Sequence, residues 1–208
     1  MPTAFQFLKS VADLRAGVPA RDLKVGGEAD EFVNVRVLSP AFIRSGRVQW
    51  VSSQETLLPP DLVARHAIKQ GNVIVSARGE FVAGLVDVEP TELSGGRPLL
   101  AGPLCHVITL GGSKDVGSQV APEFIAWLLG TEYARSHVMA ASRGAATPLF
   151  SLESLGSIPV PMIGVEKQKR IAAAAAAGRK LREARIKFAD LESFANESDL
   201  NRLAGIES

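Results

Sequence analysis

Residues 158–181 read IPVPMIGVEKQKRIAAAAAAGRKL, and this stretch decides the fold. Pro159 and Pro161 have no amide hydrogen and a fixed φ, so the chain around them is extended and confined to a sheet edge or to non-donating positions. A few residues later Ala172–Ala177 form an unbroken run of the best helix former. A body therefore ends and a helix begins here, dividing the chain into a domain at 1–163 and a helical segment at 164–208. Glu166 suits the positive end of the new helix, although the cations that follow it do not.

Downstream, Gln168 to about Ala195 is rich in helix formers, with Gly178 as the one interruption. Ala174, Ala177, Leu181, Ala184, Phe188, Leu191 and Ala195 alternate spacings of three and four, which is the seam of a coiled coil. Roughly 30 helical residues would reach about 45 Å and predict a protruding arm. Residues 166–188 carry Lys167, Lys169, Arg170, Arg179, Lys180, Arg182, Arg185 and Lys187 against Glu166 and Glu183. Residues 189–208 carry Asp190, Glu192, Glu197, Asp199 and Glu207 against Arg202. A basic front and an acidic tail favour antiparallel pairing of two such helices, because each half then faces its opposite. Charge alone leaves open a solvated helix folded back on its own domain. Phe188 and Leu191 need something to cover them, and Gly178 permits either a close crossing or a kink.

Upstream the pattern mixes strands with helices. FQFLKSVADLRAGV is a short helix or an irregular strand and turn, and EFVNVRVL alternates as a half-buried strand. SPAFIRSGRVQWVS reads as turn, helical turn, Ser-Gly turn and strand. Val73, Ile74 and Val75 lie between Gly71-Asn72 and Arg78-Gly79, the clearest hairpin-like signal in the chain. LCHVITL predicts a further strand, GGSKDVGSQ a loop, and APEFIAWLLGTEYARSHVM one helix with Phe124, Leu128, Ala134 and Val138 on its buried side. SRGAATP is a loop before the closing strand.

The 208 residues suit one compact domain plus an appendage, and 46% hydrophobic with 22% charged residues is an ordinary globular composition. Cys105 is the only cysteine, so no internal disulfide forms, and it is expected to be a small buried hydrophobe. Neither a charged leader with an apolar run nor the roughly 20 apolar residues of a membrane span occurs, which predicts a soluble, cytoplasmic protein.

Catalytic constellations are missing. No phosphate loop, dinucleotide fingerprint or nucleophile elbow occurs, and His66, His106 and His137 have no metal-ligand spacing. Cys105 and His106 are adjacent and point to opposite faces of a strand, which argues against shared ligation. Pro59-Pro60 lacks the flanking residues of an adenine-methylating loop. Pro60-Asp61 lacks the downstream acid and lysine of a metal-dependent nuclease, so Asp61 is read as a turn or cap residue.

In order and spacing these pieces resemble the DNA-specificity (S) subunits of type I restriction-modification systems. FLKSVADLRAGV resembles the family's opening segment, and FVNVRVLSPAFIRSGRVQW its strand, turn and return. IKQGNVIVSARG is similar to its Gly-Asp hairpin motif, with Asn72 where Asp is usual. The run from Pro122 to Ala172 resembles its closing block through Gly144, Ser151, Leu155, Ile158-Pro159-Val160-Pro161, Gln168 and Ile171. The resemblance covers about residues 5–200.

It implies a mixed α+β target-recognition domain that reads a few base pairs of double-stranded DNA, followed by a long helix that pairs as an antiparallel coiled coil and sets distance. It also implies docking to DNA adenine methyltransferase subunits and a restriction motor-nuclease, and no catalysis, cofactor or metal in this chain. Full-length members carry two units and this sequence carries one, so a half-size subunit is expected that homodimerises through Ala174, Ala177, Leu181, Ala184, Phe188, Leu191 and Ala195. Its site is then a gapped palindrome. A protein–protein adaptor without DNA reading, or a detached recognition domain of a fused restriction-methylation enzyme, are the alternatives.

Residues 1–165 hold 14 Lys/Arg against 15 Asp/Glu, so the body is no general polyanion binder and local loop cations must carry contact. The candidates are Arg44 and Arg47 around Ser45-Gly46, Lys69, Arg78 beside Gly79, Lys114 in GGSKD, and Arg143 beside Gly144. Arginine binds guanine with two parallel hydrogen bonds, and a neighbouring glycine lets backbone approach phosphate. Arg78 and Arg143 head the set because each stands in a Ser/Ala-Arg-Gly loop.

Overall fold

The computed structural model describes residues 4–24, 32–53, 55–111, 119–141 and 147–203, with side chains omitted at 24, 141 and 195–203. The chain divides into two compact units, Met1–Lys169 and Arg170–Ser208. It is a mixed α+β body followed by a long C-terminal helix, the fold class expected from the sequence.

The opening segment resolves the strand-or-helix alternative by using both. Strand β1 (Ala4–Phe7) leads through one helical turn, α1 (Leu8–Val11), into β2 (Ala12–Ala16), and Leu8 and Val11 are wholly buried. β3 (Val33–Leu38) follows, and a 3-10 turn at Pro40–Phe42 enters the tight hairpin β4 (Ile43–Arg44) and β5 (Arg47–Val48). After β6 (Glu55–Leu58) comes α2 (Pro60–His66), a helix the sequence reading passed over. Its start is Pro59-Pro60, with Pro60 at the first helical position, where a missing amide hydrogen costs nothing. Asp61 lies in that first turn and pairs with Arg65 at 2.9 Å.

The predicted hairpin is β7 (Val73–Ser76) against β8 (Ala83–Leu85), followed by α3 (Pro90–Leu93), β9 (Leu99–Ala101) and β10 (Cys105–Leu110). One sheet has the order β2-β10-β7-β8-β5-β4, and a second has β6-β3-β9. All four residues of β7 are buried, as its central place requires. β9 is buried on both faces and joins two clusters: Leu99 and Ala101 pack with Leu38, Ile74 and Val107, while Leu100 packs with Val35, Leu58 and Leu62. A strand's period of two makes that division unavoidable.

The second sheet and the first come close at Gly17. A Cβ there would lie 2.0 Å from the carbonyl oxygen of Gly102, while the Gly17 amide donates to Cys105 O at 2.8 Å. Only glycine permits that approach.

The single helix expected over 121–139 is two, α4 (Pro122–Leu129) and α5 (Glu132–Ala141). Gly130 ends the first, and the Thr131 hydroxyl accepts from Ala134 N at 3.4 Å at the start of the second. Thr is a good capping residue and makes the break local. Phe124, Leu128, Ala134 and Val138 are nevertheless all buried, because both helices keep the apolar stripe inward.

α6 (Leu152–Gly156) begins at Ser151, whose hydroxyl accepts from Ser154 N at 3.0 Å. β11 (Pro159–Met162) then pairs only with β1, placing Pro159 opposite Phe7 and Pro161 opposite Phe5. Prolines cannot donate, so the residues that exchange hydrogen bonds across this ribbon are Gln6 with Val160 and Ala4 with Met162.

The last helix, α7 (Val165–Leu203), is longer than the sequence reading at both ends and runs through Gly178 without a break. Its 39 residues extend about 58 Å at 1.5 Å per residue. From Leu181 to Phe194 every side chain is exposed. No helix among the described residues is long and apolar enough to cross a membrane.

Candidate nucleic-acid interface

The structure sorts the four described loop cations into two places. Arg44 and Arg47 face each other across the β4–β5 hairpin. The turn between them has Ser45 at φ 52° and Gly46 at φ 74°, so both central residues are left-handed and the hairpin is of the two-residue primed type. Arg47 Nη1 lies 2.8 Å from Asp87 Oδ2, whereas Arg44 has no ion pair among the described residues. Like charges directly opposite each other destabilise a hairpin, and only one of these two is neutralised within the fold.

Lys69 is exposed at the turn entering β7, and its neighbour Gln70 reaches the backbone of the same acid. Gln70 Nε2 donates to the Asp87 carbonyl at 3.0 Å, and Gly71 N donates to Val86 O at 2.8 Å. Arg47 and the Lys69 turn thus meet around Asp87. Asn72, where the resembled motif has Asp, is 4% exposed and works in two directions: Oδ1 accepts from Lys69 N at 2.9 Å, and Nδ2 donates to Thr109 Oγ1 at 3.1 Å. An ionised Asp accepts in the first contact but has no hydrogen for the second.

Arg78 stands at the opposite end of β7. It bridges Leu149, and Gly79 at φ +81° donates to Pro148 O at 3.0 Å. Phe150 N donates to Ala77 O at 2.9 Å, and the Phe150 carbonyl lies 2.6 Å from His106 Nε2. Phe81 meets the Phe150 ring edge-on at 5.1 Å. The backbone at residues 77–79 is therefore held along one side by residues 148–150, while the Arg78 side chain is exposed, with no ion pair among the described residues. Lys114 and Arg143 lie outside the described residues. Of the proposed helical seam, Ala174, Ala177, Leu181, Ala184, Phe188 and Leu191 are exposed on α7, and the Ala195 side chain lies outside the described set.

The cysteine and the three histidines are engaged within the fold. Burial pushes the Cys105 thiol up to about 12, so it is un-ionised, and its Sγ faces Leu38 O at 3.6 Å. His106 is held below its ordinary value by burial. His66 is lowered by burial and by nearby Arg15, whose Nη2 donates to His66 O and Ala67 O, each at 3.1 Å, closing the C-terminus of α2. His137 contacts Ser157 Oγ at 3.1 Å. No group of three or more metal-ligating side chains occurs among the described residues.

Sequence reasoning did not foresee two polar assemblies. Gln168 is fully buried in the first turn of α7: Oε1 accepts from Ala121 N at 2.9 Å, and Nε2 donates to Gln119 O at 2.9 Å and Ile163 O at 2.7 Å. This amide, with both its oxygen and its nitrogen engaged, staples the start of the helix to the entrance of α4. In the second, Glu55 receives Asn34 Nδ2 at 2.6 Å, Arg97 Nη2 at 2.7 Å and Arg36 Nη2 at 3.6 Å. The Asn34 hydrogen bond, then the two guanidinium charges, hold its carboxyl below the usual range.

This layered α+β body with its terminal helix occurs in known structures. The HsdS subunit from Thermoanaerobacter tengcongensis matches with TM-score 0.54 at 19% identity, over 98% of this chain and 49% of that one. The type IIG restriction endonuclease BpuSI matches with TM-score 0.53 at 11% identity, over 82% of this chain and 26% of that one. A type I restriction-modification S subunit from M. genitalium aligns at TM-score 0.46 and 13% identity over 97% of this chain and 43% of that one. The chain spans about half the length of the first of these S subunits and shares its fold. No family model and no curated protein sequence matches it.

Proposed function

We propose that this chain is a non-catalytic, sequence-specific DNA-binding unit of a type I restriction-modification system, equivalent to one half of a two-unit S subunit. The supporting observation is the fold likeness to the HsdS subunit, which spans 98% of this chain but 49% of that protein. The body would read a half-site through loop cations, with Arg78 and Arg143 foremost and Arg44, Arg47, Lys69 and Lys114 in support. The arm would pair antiparallel with that of a second copy, covering Leu181, Phe188 and Leu191. Two-fold pairing makes the target a palindrome of two half-sites with a fixed gap. DNA adenine methyltransferase subunits and a restriction motor-nuclease would supply the chemistry in the cytoplasm.

Selection of bound duplexes from random-sequence DNA, with the cognate methyltransferase subunit present, tests this reading. Enrichment of a gapped palindrome is expected, and enrichment of nothing contradicts it. The likeness to the endonuclease BpuSI over 82% of this chain favours a second reading, a recognition domain detached from a fused enzyme. That reading expects a single ungapped half-site from the same selection.

A further inference from the structure

Trp50 is an exposed indole on a backbone that is held still. Gln49 N donates to Phe42 O at 2.8 Å and Val51 N to Leu93 O at 2.7 Å. Val48 and Val51, on either side, are 3% and 0% exposed. Arg36 fastens the next residues through Val51 O at 3.2 Å and Ser53 O at 2.8 Å. Beneath the ring runs the left-handed pair Gly95 (φ 68°) and Gly96 (φ 84°), and a Cβ on Gly95 would lie 3.4 Å from Trp50 Cη2 and 3.7 Å from Arg97 Nη1. Arg97 donates to Gly95 O at 3.0 Å and to Glu55, which fixes that support.

The ring is nonetheless 55% exposed, and its N–H, a donor only, has no acceptor among the described residues. Within residues 43–51 the exposed charges are Arg44, which has no ion pair among the described residues, and Arg47, which Asp87 meets at 2.8 Å. The Arg44 guanidinium and the Trp50 N–H are hydrogen-bond donors without a partner among the described residues, so their complement is a partner rich in acceptors and negative charge.

We infer that Trp50 is a DNA-contacting residue, laying its indole against a sugar or base edge of a duplex whose phosphate Arg44, the cation of this hairpin without an ion pair among the described residues, engages. This inference rests on the DNA-reading function proposed above and adds an aromatic contact to its cations. An indole offers a large rigid contact face and one N–H donor with few rotatable bonds to freeze. The pinned backbone means that little ordering remains to be done on binding.

The protein has two tryptophans, so Trp127→Phe in the full chain leaves Trp50 as the sole indole reporter. A fluorescently labelled duplex enriched from the random pool is titrated with this variant, following indole emission and label anisotropy together. Trp50 emission is expected to change in step with anisotropy. Trp50→Ala should weaken binding to the enriched duplex by about tenfold, with Trp50→Phe retaining most of the affinity. Binding seen by anisotropy with silent Trp50 emission and an unaffected Trp50→Ala variant overturns the inference and leaves the DNA-reading function standing. Failure of every form to bind any duplex, with methyltransferase present, overturns both. A Trp50 response to the methyltransferase subunit without DNA, and none to DNA, also overturns the inference and assigns the residue to a protein contact.

Discussion

The two compact units of this chain treat their apolar residues in opposite ways. In the body Phe124, Phe150, Leu8, Leu38 and Ile74 are among side chains below 2% exposed. Along α7 Leu181, Ile186, Phe188, Leu191 and Phe194 range from 55% to 72% exposed. The helix also separates its charge, cations first and acids after. The body covers its own apolar residues, whereas the helix leaves these five side chains uncovered in the single chain. On the function proposed above, the body would read DNA and the helix would set the distance between two copies.

The largest effect expected of one change in the body is that of Phe124→Ala. Removing this wholly buried ring should cost about 3–5 kcal/mol of body stability in denaturant titration. Self-association through α7 should persist under conditions where the body is still folded. Loss of both together would erase the distinction between the regions.

Arg78→Ala should weaken binding to the selected duplex by about 1–3 kcal/mol, with a smaller loss on unrelated sequences, if its guanidinium reads a base. An equal loss on all sequences in competition assays assigns it to phosphate. Neither outcome should alter the unfolding midpoint, because the side chain is exposed.

His106 makes the body sensitive to acid where α7 has no histidine. Burial lowers its pKa below the ordinary 6.5, so the unfolded chain takes the proton first as pH falls. The stability from its neutral ring is complete above about 6.5 and is lost as pH drops toward the folded value, at no more than about 1.4 kcal/mol per pH unit. His66 is shifted in the same direction. Urea midpoints between about pH 5.5 and 7.5 should show this slope, and His106→Gln should flatten its share of it.

Gly178→Ala has the smallest effect and the most informative sign. An added Cβ meets nothing within 4 Å in the single chain, so helix propensity alone stabilises by up to about 1 kcal/mol. Weaker self-association of the variant in sedimentation would instead mark Gly178 as the close crossing point of two helices.

Much of the body was legible because its signals are local. Val73–Val75 between turn residues, the alternation of β3, and Pro159 with Pro161 at a ribbon edge each follow from one residue type in one position. The break between α4 and α5 escaped because the apolar stripe continues across it, and the capping role of Thr131 shows only when its hydroxyl is seen to face Ala134 N. The helix α2 escaped because Pro59-Pro60 reads as a turn when its downstream packing is unknown.

The candidate site was legible as loop cations beside glycines. That Arg47 spends its charge on Asp87, while Arg44 across the hairpin is unpaired among the described residues, needed the strand order β7-β8-β5-β4. Trp50 carries no motif. Its significance lies in exposure on a fixed backbone, which depends on Leu93 and Gly95, more than forty positions away in sequence.

Sedimentation equilibrium of the full chain at micromolar concentration, alone and as the Phe188→Glu/Leu191→Glu variant, tests the proposed contrast most directly. The account predicts a dimer that becomes a monomer in the variant, with the body's unfolding midpoint unchanged. A strict monomer in the unmodified chain, or a dimer that survives both substitutions, would contradict it.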